Sequence, residues 1–99
     1  MASRRIIWSP KSKERLYQIL EFFNHRNRNT IYSKKLYKSF RHELSTLKKQ
    51  PYIGVKTNFE NVHGLIVGDY VLFYEIELTQ INVITVWDSR QDPENLKII

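Results

Sequence analysis

Five side chains carry whatever chemistry this 99-residue sequence can do: Lys56, His63, Tyr70, Tyr74 and Arg90. Other chemistries lack their residues. His25, His42 and His63 stand alone, with no HExxH and no pair at ligand spacing on one element, so no metal set can be written. Three glycines do not make a phosphate-cradling loop, and there is no cysteine for thiol chemistry, disulfides or thiolate ligands. No cofactor is expected. What the five could do is cleave a phosphodiester without a metal: a base, an acid and one or two cations held around a phosphate and its 2′-hydroxyl. Arg90 is the strongest candidate. It follows an apolar run, sits between polar residues, and is surrounded by acids, among them Asp88, Asp92 and Glu94, with any of which it can pair. Lys56 and His63 are the accompanying candidates. Tyr70 and Tyr74 fall on the face of their strand assigned to the core, where packing is a tyrosine's ordinary role.

These residues depend on a short series of elements. Arg4–Trp8 reads as a first strand. Ser9-Pro10 then starts a helix, with serine as N-cap and proline where its missing N–H costs nothing. Leu16, Ile19, Leu20 and Phe23 recur at i, i+3, i+4 and i+7 as one buried stripe. The polar run from Asn24 to Asn29 breaks the helix, and Asn29 or Thr30 caps the next. Leu36, Phe40, Leu44 and Leu47 form its stripe, which Pro51 and Gly54 end. A link this short predicts an antiparallel helical hairpin. Pro51–Glu60 reads as a loop. Val62–Val67, Tyr70–Glu77 and Ile81–Asp88 then read as three strands in a meander, with Gly68-Asp69 as a two-residue turn. In the middle strand Tyr70, Leu72, Tyr74 and Ile76 share an apolar face that should carry the helices, while the opposite face is half covered and ends in acids. The expectation is one α+β domain spanning residues 1–99, in the order β-α-α-β-β-β, with both helices on one face of a mainly antiparallel sheet.

Charge divides along the same line. Residues 1–56 hold fourteen of the sixteen Lys and Arg against three Glu, a net of +11; residues 57–99 hold two against seven acids, a net of −5. A strongly basic helical part suggests an anionic partner, either nucleic acid or an acidic protein segment, although a solvated lysine-rich surface reads the same way. No apolar stretch reaches membrane-spanning length and no signal-peptide core follows the N-terminus, so a cytoplasmic protein with no membrane partner is expected.

Taken in order, Trp8-Ser9-Pro10 with Leu16, the hairpin Val67-Gly68-Asp69-Tyr70 running on to Ile76, and the ending Ile84–Leu96 resemble the RelE/ParE superfamily of toxins from bacterial type II toxin–antitoxin systems, often labelled plasmid stabilisation proteins. The resemblance runs from Ile6 to Leu96. It implies a small growth-inhibiting toxin held inactive by a cognate antitoxin, and one of two targets. RelE-like members are ribosome-dependent mRNA endoribonucleases, using lysines on the second strand, an arginine on the third, an arginine near the chain end, and often a tyrosine or histidine after it. ParE-like members act on DNA gyrase and have lost that set. Here Arg90 matches the arginine near the chain end. His63 stands where the nuclease branch has a lysine, Leu65 at the neighbouring lysine position and Val71 at the third-strand arginine. Gln91, Asp92, Pro93 and Glu94 follow Arg90 with no proton donor among the family's types. Arg4, Arg5 and Lys56 can restore some charge, yet an acidic sheet is a poor cradle for phosphates. The residues lean to a ParE-like or divergent toxin. The ribosomal RNase, with Arg90, His63 and Lys56 as its catalytic set, and a non-toxic nucleic-acid-binding module are the alternatives.

Overall fold

The computed structural model describes residues 4–91. Its elements are β1 (Arg5–Trp8), α1 (Pro10–Asn27), α2 (Ile31–Lys49), β2 (Val55–Lys56), β3 (Val62–Val67), β4 (Tyr70–Ile76) and β5 (Gln80–Asp88). The five strands form one sheet in the order β1-β5-β4-β3-β2. Only β1–β5 is parallel; the other pairs are antiparallel. This is the expected α+β architecture with one addition. The segment read as a loop contains a two-residue edge strand, Val55 opposite Gly64 and Lys56 opposite His63. Two residues are too few for alternation to mark them as a strand.

The helices form where local chemistry satisfies their ends. Ser9 lies in extended geometry and its hydroxyl accepts the Ser12 N–H at 3.0 Å, with Pro10 following in the first turn. Arg28 ends α1 in the left-handed region, φ 56°. The Asn29 side chain then accepts the Ile31 N–H at 3.0 Å and so caps α2, while Thr30 contributes no side-chain cap. Lys48 and Lys49 in the last turn of α2 suit the negative end of its dipole.

One core joins the layers. Leu16 and Phe23 of α1 and Leu36, Phe40, Leu44 and Leu47 of α2 pack on Leu65, Val67, Tyr70, Leu72, Tyr74, Ile76, Ile81, Val83 and Val86. Both helical stripes and the assigned face of β4 are therefore the buried ones, with Ile19 and Leu20 partly covered at the margin. The pairing of β5 with β4 steps from Phe73–Thr85 to Tyr74–Val83, which leaves Ile84 as an extra residue. That bulge explains how Val83 and Val86, three apart, both face the helices. The Ser9 hydroxyl reaches the freed Ile84 carbonyl at 3.0 Å, so one serine caps α1 and closes the bulge. At the other end of the sheet Gly68 takes φ +59° in the β3–β4 turn, a conformation glycine adopts without penalty.

Candidate functional site

Arg90 lies two residues beyond β5, beside the β3–β4 turn. Tyr70 is the register partner of Asp88, which brings Asp69 alongside the end of β5. The Ser89 N–H and hydroxyl both donate to the Asp69 carbonyl, at 2.9 and 2.7 Å. Asp88 grips Arg90 three ways. Its Oδ1 accepts the Arg90 backbone N–H at 2.9 Å and Nε–H at 3.0 Å, and its Oδ2 accepts Nη2–H at 2.9 Å. Nη1 faces Asp69 Oδ2 at 3.9 Å, an ion pair without a hydrogen bond. Hydrogen bonding from Arg90 holds the Asp88 carboxyl below its ordinary range, with Arg15 of α1 adding a smaller pull, and the same pair raises Arg90 further above its already high value. Of the three carboxylates expected near Arg90, Asp88 is its partner; Asp92 and Glu94 lie outside the described residues. Asp69 was not foreseen, although strands of matched length must return a hairpin turn to the end of the next strand.

His63 and Lys56 are elsewhere. His63 pairs with Tyr74, four residues along β4 from Tyr70, a separation of roughly 13 Å at about 3.3 Å per residue. It is 5% exposed. Its ring is stacked on Tyr74 at 5.8 Å and meets the edge of Tyr52 at 5.7 Å, and its buried Nδ1 has no partner. Lys56 is exposed on β2 opposite it. So the sheet makes neighbours of Lys56 and His63 and puts Arg90 at its other end. Tyr74 is fully buried, its hydroxyl donating to the Pro51 carbonyl at 2.7 Å and accepting the Gly54 N–H at 3.1 Å. A Cβ on Gly54 would stand 2.9 Å from the Gly64 carbonyl and closer still to the Tyr74 hydroxyl, so this loop needs its glycine. Tyr70 is buried against Phe40, ring centroids 6.0 Å apart. Both tyrosines serve the core.

A groove of about 690 Å³ opens on the helical layer. Trp8, Leu16, Tyr17, Leu20 and Tyr37 line it with apolar surface, and Lys13, Lys34, Lys38 and Arg41 stand around it against one acid, Glu21. Lys34, Lys38 and Arg41 recur at i, i+4 and i+7, so they share one side of α2. Arg41 lies over the Tyr37 ring, 5.9 Å from its centroid. A second hollow continues past Trp8 and Tyr37 toward Leu44 and Lys48. Among the described residues no three His, Cys, Asp or Glu group as metal ligands, and no helix is long and apolar enough to cross a membrane.

A hairpin of helices on a sheet whose first strand lies parallel to its last has a counterpart among solved structures. The "Chromosomal ParDE TA system from P. aeruginosa" matches with a TM-score of 0.71 and 11% sequence identity, over 85% of this chain and 94% of that one. At that identity the likeness is one of fold. No curated protein matches the chain. The family model described as ParE toxin of type II toxin–antitoxin system, parDE, matches residues 6–93, and the chain belongs to this family of toxins.

Proposed function

We propose that this protein stops bacterial growth by acting on DNA gyrase, with Arg90 as its functional cation, and that a cognate antitoxin neutralises it by laying an acidic segment into the groove between the helices. The observation that carries the choice of target is the separation of the nuclease candidates. Proton transfer to and from a 2′-hydroxyl needs base, acid and cation within hydrogen-bond reach of one phosphate. His63 is instead wedged between two tyrosines, and Arg90 stands at the far end of the sheet with Asp88 on its inner edge. The antitoxin site is supported by charge and shape together. The groove offers apolar surface for one side of an amphipathic segment and a row of cations for its carboxylates. Inducing the gene alone and following plasmid supercoiling and bulk translation in the same culture tests the target. Loss of supercoiling before translation falls is expected; translation failing first, with fresh mRNA 5′ ends, would overturn it.

One feature favours the ribosomal RNase as a second reading. Lys56 and His63 are cross-strand neighbours, and His63 Nδ1 is unbonded. If His63 moves a proton, His63→Ala loses on the order of a hundredfold in mRNA cleavage. On the gyrase reading it lowers stability through lost packing and leaves toxicity per folded molecule unchanged.

A further inference from the structure

Arg90 has two carboxylate neighbours, and the two are unequal. Asp88 takes the backbone N–H, Nε–H and one hydrogen of Nη2, all at 2.9–3.0 Å, from a side chain only 19% exposed. Asp69 comes within 3.9 Å of Nη1 from a side chain 63% exposed, and none of its side-chain oxygens is hydrogen-bonded to Arg90. The first contact fixes the plane of the guanidinium and uses up its inner edge. Nη1 and the second hydrogen of Nη2 remain on the outer edge, the fork that matches carboxylate and phosphate groups in bidentate geometry. There Asp69 is the loosely held occupant.

We infer that Asp88 is a positioning residue that aims the outer edge of Arg90 at an anionic group of the target, and that Asp69 is a restraint which this group displaces. The inference rests on the reading of Arg90 as the functional cation. The main chain supports the division of labour. Ser89 is tied to the Asp69 carbonyl rather than to its carboxylate, so the turn and the end of β5 stay joined when the Asp69 side chain is changed. The restraint is therefore separable from the scaffold. A lysine at position 90 would keep the charge and lose the grip, because an ammonium cannot be held in plane by one carboxylate.

The test is growth inhibition on graded induction of the chain alone, with melting temperatures of the purified variants alongside. Asp88→Asn should lose at least tenfold in potency, Asp88→Glu should regain part of it, and Arg90→Lys should lose as much as Asp88→Asn. Asp69→Asn should be at least as potent as the parent. Arg90→Ala reports on the underlying reading: if it stays fully toxic, that reading fails and the inference with it. If Arg90→Ala is harmless while Asp88→Asn and Arg90→Lys are as toxic as the parent, the positioning role falls and the reading stands. A loss of toxicity in Asp69→Asn overturns the restraint. Should Asp88→Asn melt far below the parent, Arg90→Lys decides, because that side chain is 57% exposed and its exchange leaves the core untouched.

Discussion

Tyr74 shows how one atom can hold a loop. Its buried hydroxyl is both donor to the Pro51 carbonyl and acceptor from the Gly54 N–H. Tyr74→Phe leaves two main-chain groups without their partner and should cost about 1–3 kcal/mol, read from urea unfolding midpoints. Burial raises the Tyr74 phenol above its ordinary 10.0, and burial together with Asp88 raises Tyr70 in the same direction. The sign follows from proton binding: the folded chain holds these protons more tightly than the unfolded one. Their contribution is complete below the unfolded value near 10.0 and is lost as pH rises through the raised folded values. Stability should therefore fall above pH ~10, and less steeply in Tyr74→Phe. Melting curves across the alkaline range check both. The packing role of Tyr74 was legible from alternation in its strand. The burial of His63 had the same signal available, since it shares a face with Leu65 and Val67, but its titratable ring invited a functional reading first. The Arg90 clasp was half legible: Asp88 is near in sequence, whereas Asp69 comes from the adjoining turn.

Among the elements, the helices were the most readable because each repeats its apolar spacing over about two to three turns between clear start and stop signals. Phe40, in the middle of the α2 stripe, is fully buried, and Phe40→Ala should cost about 3–5 kcal/mol. A loss below about 0.5 kcal/mol in chemical denaturation would place it on the surface instead. The junction of β1, α1 and β5 was not readable in full. Ser9 was identifiable as an N-cap from Ser-Pro, but the bulge at Ile84 shows locally only as the adjacent apolar pair Val83-Ile84, which shifts the alternation between Ile81-Asn82-Val83 and Ile84-Thr85-Val86. The structure joins the two at Ser9 Oγ. Ser9→Ala therefore removes a cap and a carbonyl's partner together, and should cost about 1–3 kcal/mol, above a cap alone. Ser9→Thr, which retains the hydroxyl, should recover part of it in the same melt.

For the whole molecule, the uneven charge of the sequence becomes a division between layers. The helical hairpin presents Lys34, Lys38 and Arg41 beside an apolar groove, whereas at the sheet end Arg90 is offset by Asp88 and Asp69. On the proposed reading, an acidic antitoxin segment is drawn to the groove side, where the cations stand unopposed by the acids of the sheet. Its association rate should fall roughly tenfold or more between low salt and several hundred millimolar, because the screening length shortens from about 30 Å at about 0.01 M to below about 10 Å above about 0.1 M. Stopped-flow mixing at several salt concentrations measures this. Replacing Lys34, Lys38 and Arg41 by Gln should remove most of the dependence, and a rate indifferent to salt would count against the groove as the docking surface.

The parallel pair of β1 and β5 also sets an order of events. Arg5 sits opposite Gln80 and Trp8 opposite Val83, so this edge cannot form until most of the chain exists. The helical hairpin and the β3–β4–β5 meander are local and close quickly, whereas joining ends some seventy-five positions apart carries the larger entropy of loop closure. During translation β1 therefore waits, exposed, while its partner is still being made. The groove that Trp8 helps to floor is then among the last surfaces completed. A growing chain therefore lacks the completed groove to which the proposed function assigns the antitoxin. Pulsed hydrogen exchange during refolding should show the amides of β1 acquiring protection after those of α2 and β4.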